Sequence, residues 1–219
     1  MTVGLVIVSH SARLADGVVE LAGQMAPLVP ILAAGGMPDG GLGTDFDAVS
    51  RALAAADQGA GVVLLFDLGS ARMTADLAVE TLDSTARAVV ADAPLVEGAV
   101  AAAVAAAGGA DLAAVVAAAT GSTAAAPPPD GPESTAEIVL TNDLGLHARP
   151  AALLARSMAE LDAQVTITKG DHQADATSVL ALLGLATTKG DHLAVTARGN
   201  QADEAIARIQ RLASENFGE

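Results

Sequence analysis

The chain has 219 residues and a formal charge of −15 at pH 7, from 26 acidic and 11 basic side chains. Because nucleic acids and anionic membranes attract clustered Lys and Arg, this balance argues against both as partners. The chain contains no cysteine, which excludes disulfides, thiolate metal cages and a cysteine nucleophile and fits a cytoplasmic protein. Aliphatic side chains and alanine must build any core, because only three residues are aromatic.

Residues 1–120 alternate the patterns of buried strands and amphipathic helices. Continuous apolar runs predict strands at 3–8, 29–33, 61–66 and 88–91, with helically spaced apolar residues between them. Repeated strand–helix units predict a doubly wound α/β domain with a mainly parallel sheet. The alanine-rich stretch 99–119 contains Asp111 and a Gly-Gly pair, so we interpret it as a helix of this domain and not as a membrane span.

Two polar residues follow strands of this predicted sheet. His10 comes directly after the first strand, and Asp67 comes directly after the third. In parallel α/β sheets, ligands and chemistry lie at the carboxyl ends of the strands. The sequence therefore predicts that this edge of the sheet carries the functional site of residues 1–120.

A change in composition separates two domains. Residues 121–135 are rich in Pro, Gly, Ser, Thr and Ala, and include three consecutive prolines. This composition is typical of a linker. Residues 136–219 have a different order, with strands predicted at 137–141, 164–168 and 193–197 and helices following them. That order predicts an α+β open-faced sandwich, with helices on one face of a small antiparallel sheet.

His147 is the most informative residue of the second domain. Pro150 is tolerated in the first turn of a helix, which places His147 at or next to the N-cap. Free backbone N–H groups and the positive end of the helix dipole form an anion site there, and Arg149 could add charge-assisted hydrogen bonds. A purely capping histidine is the alternative. His172 and His192 each follow a Gly-Asp pair and are expected to be exposed turn residues.

The segment around His147, GLHARPAA, resembles the active-site signature of the HPr phosphocarriers. The resemblance extends over residues 137–219 and implies that His147 is phosphorylated. Ser178 stands where some HPr proteins have a regulatory phosphorylation site. The alternative for Ser178 is that it caps the short helix that follows it.

The motifs of the first domain resemble the mannose-type enzyme IIA fold. They are LVIVSHSARLADGVVELAGQM, Gly43-Thr44 and the DLGS segment that begins at Asp67. The version closest to them occurs in the phosphoryl-donor subunits (DhaM) of dihydroxyacetone kinase. This resemblance implies that His10 carries a phosphoryl group and that Asp67 orients it. Five further residues are expected to support this pair: Ser9, Ser11, Thr44, Gly69 and Ser70.

The two resemblances together imply a phosphocarrier of the phosphoenolpyruvate-dependent phosphotransferase system. Phosphate would pass from enzyme I, or from free HPr, to His147, then to His10, and then to ADP on the nucleotide-binding subunit of the kinase. A further subunit binds dihydroxyacetone. Because the nucleotide is bound on a partner subunit, this chain is expected to need no cofactor beyond its phosphohistidines. Because the chain ends after the HPr-like part, a separate enzyme I is expected. A homodimer through residues 1–120 is expected too, with the apolar helix after Pro94 as a candidate surface.

Other functions are weighed against this one. Direct use of ATP is disfavoured, because no phosphate-binding G-x-x-x-x-G-K-[ST] loop occurs and residues 1–120 contain no lysine. A metal-holding site like that of small tetrapyrrole chelatases would need a second histidine in the domain, where His10 stands alone, so no metal is expected. A sugar-transport enzyme IIA and a module that signals phosphorylation state to a transcription factor remain alternatives.

Overall fold

The computed structural model describes residues 1–82, 87–121 and 131–218. The chain divides into two compact units, Met1–Ser122 and Thr123–Glu219. Residues 122–130 of the predicted linker lie outside the described residues. In the part of the chain that the structure describes, no helix has the length and apolar character needed to cross a membrane.

The first unit is a four-stranded parallel sheet with the order β2-β1-β3-β4. Its strands are β1 (Gly4–Ser9), β2 (Ile31–Gly35), β3 (Val62–Phe66) and β4 (Ala88–Ala91). Its described helices are α1 (Ala12–Met25), α2 (Phe46–Ala56), α3 (Gly69–Glu80), α4 (Leu95–Ala107) and α5 (Leu112–Thr120).

Helices cover both faces of this sheet, which confirms the predicted doubly wound fold. Val6 and Leu64 pack with α2 and α3 on one face. Leu5 and Leu65, which alternate with them along the strands, are also fully buried and face the side of α1, α4 and α5. Both central strands are therefore buried on two faces, which explains their continuous apolar sequences.

Helix α4 does not offer the dimer surface that the sequence suggested. Residues 98–104 of this helix are all buried within the single chain. This part of the helix is apolar on every side because α1, α5 and the sheet surround it. The stretch 99–119 is also two helices and not one, since α4 ends at the Gly108-Gly109 pair.

The second unit is a four-stranded antiparallel sheet with the order β5-β8-β6-β7. Its strands are β5 (Glu133–Val139), β6 (Gln164–Lys169), β7 (His172–Asp175) and β8 (His192–Arg198). Its helices are α6 (Ala148–Ala159), α7 (Val179–Gly184) and α8 (Ala202–Ser214), followed by a 3-10 turn at Asn216–Gly218. Buried and exposed residues alternate along β8, as expected of the predicted open-faced sandwich.

Strand β5 begins earlier than the sequence indicated. It starts at Glu133, inside the predicted linker 121–135, and its residues Glu133 to Thr135 pair with Arg198 to Thr196 of β8. All three residues are polar, with Glu133 and Thr135 exposed and Ser134 partly buried, so they carry no apolar signal. Strand β7 was missed for the same reason, because only Ala174 of its four residues is buried.

Strand β2 begins two residues later than predicted. Val29 belongs to a turn in which its N–H donates to the Ala26 carbonyl at 3.1 Å. Pro30 has no N–H to contribute to a ladder, although its carbonyl accepts the Leu5 N–H at 2.8 Å. The paired strand therefore starts at Ile31 opposite Leu5.

Candidate functional site

His10 occupies the short connection between β1 and α1. The buried strand ends at Ser9, and α1 begins at Ala12 with Ser11 as its N-cap. The Ser11 hydroxyl accepts the Leu14 N–H at 3.3 Å, which closes the first turn of the helix. The His10 side chain therefore leaves the carboxyl end of a central strand, as the sequence predicts, and 26% of it is exposed.

Asp67 follows β3, the neighbouring strand, and its carboxylate accepts four hydrogen bonds. Oδ2 accepts the Ser9 hydroxyl and the His10 backbone N–H, both at 2.9 Å. Oδ1 accepts the His10 Nδ1–H at 2.9 Å and the Leu68 N–H at 2.7 Å. The carboxylate is therefore fixed in position by both neighbouring strands, and only 13% of its side chain is exposed.

These contacts keep Asp67 ionised. Partial burial by itself raises the pKa of the Asp67 carboxyl. The hydrogen bonds from the His10 N–H, the His10 ring, the Ser9 hydroxyl and the Leu68 N–H outweigh burial and lower the pKa below its ordinary value of 3.8. A carboxylate that is charged at neutral pH can accept the Nδ1–H of histidine and can balance positive charge on the ring.

The hydrogen-bond partners of the His10 ring determine which of its two nitrogens carries the proton. Because a carboxylate only accepts, Nδ1 carries the proton, and the lone pair of the neutral ring then lies on Nε2. The Ser70 hydroxyl lies 2.7 Å from Nε2 and donates to that lone pair. Nε2 is thus the nitrogen whose lone pair is available to a ligand, and it lies beside Ser70 in the first turn of α3.

The first turn of α3 can hold an anion next to Nε2. This helix begins at Gly69 and contains 12 residues, and its N-cap, Leu68, has no side-chain cap. The first N–H groups of a helix have no intrahelical acceptor and lie at the positive end of its dipole. A group bonded to Nε2 would therefore meet backbone donors and the Ser70 hydroxyl, and both favour a phosphoryl group.

The remaining predicted residues of the first unit join this cluster indirectly. The Ser11 N–H donates to the Ser9 hydroxyl at 3.0 Å. Within residues 1–82, the Thr44 hydroxyl bonds the Thr74 hydroxyl at 2.9 Å and not His10. Thr74 in turn donates to the carbonyl of Ser70 at 3.3 Å. Thr44 thus ties the loop between β2 and α2 to α3, the helix that supplies Ser70.

His147 lies at the N-cap of α6, in the second unit. Its backbone is extended, with φ −76° and ψ −174°, and its carbonyl accepts the Ala151 N–H at 2.9 Å. The His147 side chain is half-buried, Arg149 is exposed, and Pro150 is buried in the first helical turn. This geometry places the histidine beside the positive end of a 12-residue helix.

Three other predicted residues have simpler environments. Ser178 is the N-cap of α7, and its hydroxyl accepts the Ala181 N–H at 3.2 Å. Only 5% of Ser178 is exposed. His172 and His192 are exposed and begin β7 and β8, so they lie in strands and not in turns. The Nδ1 of His192 lies 2.6 Å from a carboxylate oxygen of Glu137 on the neighbouring strand.

Several residues that support the two histidine sites are not indicated by any motif in the sequence. Asn142 and Thr187 are both buried and bond the two residues that precede His147. Thr74 links Thr44 to Ser70. Thr187 lies forty residues from His147 in a loop without a recognisable motif, so no spacing in the sequence connects them.

Two family descriptions match the chain. Residues 4–116 match the PTS system fructose IIA component, and residues 134–215 match the PTS HPr component phosphorylation site. The first match contains His10 and Asp67, and the second contains His147. The two matched segments agree with the two resemblances that the sequence motifs indicate.

Several curated proteins are similar to this chain. The PEP-dependent dihydroxyacetone kinase phosphoryl donor subunit DhaM of Klebsiella michiganensis is 36% identical over 241 residues, which cover 99% of this chain and 51% of that protein. The PTS-dependent dihydroxyacetone kinase phosphotransferase subunit DhaM of Lactococcus lactis is 40% identical over 102 residues, which cover 47% of this chain and 80% of that protein. The chain spans about half the length of the curated relatives that it matches from end to end.

A solved structure is similar to about half of this chain. The crystal structure of the unknown function protein EF1359 is 36% identical, with a TM-score of 0.50. The match covers 54% of this chain and 93% of that chain.

Proposed function

The chain belongs to the DhaM family of dihydroxyacetone kinase phosphoryl donor subunits, and on this basis we propose that it is a phosphohistidine carrier that relays phosphoryl groups to such a kinase. Phosphoenolpyruvate is the source, and enzyme I or free HPr delivers the group to His147. His147 passes it to His10, and His10 passes it to ADP on the nucleotide-binding subunit. Dihydroxyacetone, bound by another subunit, is the final acceptor.

The arrangement of His10 between Asp67 and Ser70 is the observation that carries this proposal. The Nε2 lone pair attacks the phosphorus of the donor phosphohistidine, so one P–N bond forms while another breaks. Oδ1 of Asp67 lies 2.9 Å from Nδ1 of His10 and keeps the proton on that nitrogen. The negative charge of the carboxylate balances the charge of the phosphorylated ring. In the next step an oxygen of ADP attacks the phosphorus, and the bonding pair returns to Nε2.

Ser70 has a role in both states of His10. In the free state its hydroxyl donates to Nε2 at 2.7 Å. When Nε2 carries a phosphoryl group, the same hydroxyl is released and can donate to a phosphoryl oxygen beside the N–H groups of α3. In this proposal the carrier has no metal or organic cofactor of its own, and the adenine nucleotide stays on the partner subunit.

Further features belong to the same proposal. The chain would work in the cytoplasm, where phosphotransferase-system proteins and the kinase subunits would meet it, as a homodimer through the first unit. The overall activity is that of a phosphoenolpyruvate–glycerone phosphotransferase component. A sugar-transport enzyme IIA and a regulatory module would use the same histidines, but the names of the relatives favour the kinase as the acceptor.

The test is to label the full chain with enzyme I and phosphoenolpyruvate and to locate phosphohistidine by mass spectrometry under alkaline handling. We expect label on His10 and His147 alone. His147→Ala should stop the labelling of His10 unless free HPr is added, whereas His10→Ala should still accumulate label on His147. Heavy label on His172 or His192 would contradict the assignment. Normal dihydroxyacetone phosphorylation by His10→Ala would contradict the order of the relay.

A further inference from the structure

We propose that Thr187 is a positioning residue for His147, and that with Asn142 it fixes the backbone that carries the phosphoryl-accepting ring. The contacts that carry this inference are made with Gly145 and Leu146, which immediately precede His147, and not with the reacting atoms. The inference rests on the proposed phosphoryl transfer through His147. It assigns a functional role to a loop, residues 186–191, that the active-site signature does not include.

The first contact joins Thr187 to Leu146. The Leu146 N–H donates to the Thr187 hydroxyl at 2.7 Å, and 3% of Leu146 and 8% of Thr187 are exposed. Because the bond is shielded from water, loss of the hydroxyl would leave a buried N–H without an acceptor. Leu146 is thus held by both its apolar side chain and its backbone, one residue before His147.

The second contact joins the same loop to Gly145. A Cβ added to Gly145 would lie 2.4 Å from the Thr187 carbonyl oxygen and 2.8 Å from its hydroxyl oxygen. Gly145 also has φ +65°, which L-residues other than glycine rarely adopt. The two loops therefore approach as closely as backbones without an intervening side chain allow, and Thr187 defines where Gly145 lies.

Asn142 completes the arrangement from the other side. Its Nδ2–H donates to the Gly145 carbonyl at 2.7 Å, and that carbonyl also accepts the His147 N–H at 3.0 Å. The bond from His147 to Gly145 closes a three-residue turn around Leu146. One carbonyl oxygen thus connects the buried Asn142 side chain directly to the backbone of His147.

The 186–191 loop is itself held in an unfavourable conformation. Ala186 has φ +45°, in the left-handed region that a residue with a Cβ avoids. The Lys169 ammonium group donates to the Ala186 carbonyl at 2.8 Å and lies 2.7 Å from a carboxylate oxygen of Asp191. A strained residue persists only where its surroundings determine its conformation, and such residues cluster at functional sites. Here the strained residue immediately precedes Thr187.

The test compares Thr187→Val with Thr187→Ser in the full chain. Valine keeps the shape and removes the hydroxyl, whereas serine retains the acceptor. With enzyme I and phosphoenolpyruvate, Thr187→Val should lower the maximal rate of His147 labelling roughly tenfold or more, because small misplacements of a reacting group are costly. Thr187→Ser should restore most of the rate. Hydrogen exchange of the Leu146 amide, followed by NMR, should be faster in Thr187→Val and close to wild type in Thr187→Ser.

Ile167→Val is the control for a general loss of stability. Ile167 is fully buried in β6, and the substitution weakens the same core without changing a polar contact. It should leave the labelling rate unchanged. Equal slowing by Ile167→Val and Thr187→Val, or wild-type labelling by Thr187→Val, would overturn the positioning role. A wild-type chain that accepts no phosphoryl group at His147 would overturn the proposed function, and the positioning role with it.

Discussion

The Asp67 carboxylate concentrates the local interactions of the His10 site. It binds the His10 ring, the His10 N–H, the Ser9 hydroxyl and the Leu68 N–H with its two oxygens. The strand pattern placed Asp67 at the same sheet edge as His10, and the resemblance indicated that it orients the histidine. Ser9 was among the residues expected to support the pair, whereas the N–H groups of His10 and Leu68 could not be predicted as donors, because backbone groups leave no mark in a sequence.

Substitution of Asp67 tests whether this arrangement matters for transfer. Asp67→Ala removes the group that holds the proton on Nδ1 and balances the charge of the phosphorylated ring. We expect labelling of His10 to slow about 10–100-fold, by analogy with the loss of partners that orient metal-bound histidines. Labelling of His147 should not change, because it lies in the other unit. Both rates can be measured by rapid quench and mass spectrometry.

Asp76→Ala provides a matched control for that experiment. Asp76 lies on α3 and is 47% exposed, in an ion pair with Arg72 at 3.5 Å. Removing this carboxylate alters the charge of the same helix without touching His10, so the labelling rate should stay at the wild-type value. If Asp67→Ala labels His10 as fast as Asp76→Ala does, the carboxylate serves only the local fold.

At the scale of secondary-structure elements, the buried parts were predictable and the exposed parts were not. The runs that became β1 and β3 are apolar throughout because both faces of these strands are covered. Strands β5 and β7 have one face in solvent, and their polar residues looked like linker and turn. Helix α4 was recognised as a helix, but composition alone could not distinguish an apolar surface from a helix enclosed by its own domain.

The 186–191 loop allows a stability prediction at the same scale. Ala186→Gly removes the Cβ that makes φ +45° unfavourable, which should outweigh the greater freedom of glycine in the unfolded chain. We expect the free energy of unfolding of the second unit to rise by roughly 0.5–1 kcal/mol. Urea unfolding of the full chain, followed by NMR signals of that unit, measures the change.

The matched variant is Ala194→Gly, at an exposed position of β8. Glycine there relieves no strain and adds only unfolded-state freedom, so the free energy of unfolding should fall by roughly 0.5–1 kcal/mol. Opposite signs for the two substitutions would confirm that Ala186 is strained. A loss of stability in both would show that the left-handed conformation of Ala186 costs little.

At the scale of the whole molecule, one chain carries two histidine sites of different construction. His10 follows a strand of a parallel sheet and is oriented by a carboxylate, whereas His147 caps a helix beside an antiparallel sheet. Each unit has its own core and its own family match, so each could act as a carrier alone. The covalent connection therefore needs a reason of its own, and the transfer that we propose from His147 to His10 would supply one.

Transfer from His147 to His10 should be faster within the chain than between chains. A short tether gives the second site an effective concentration on the order of mM. In wild type, the rate constant for His10 labelling after His147 is phosphorylated should not depend on protein concentration. When separately purified His10→Ala and His147→Ala dimers are mixed and measured before their subunits exchange, each molecule has only one kind of functional site. The transfer rate of this mixture should rise linearly with concentration and stay well below the wild-type rate at micromolar concentrations. Rapid-quench measurements over a hundredfold dilution distinguish the two. If wild-type transfer slows in proportion to dilution, the two histidines exchange phosphate only between molecules, and the connection must serve another purpose, such as delivering both units to the same kinase.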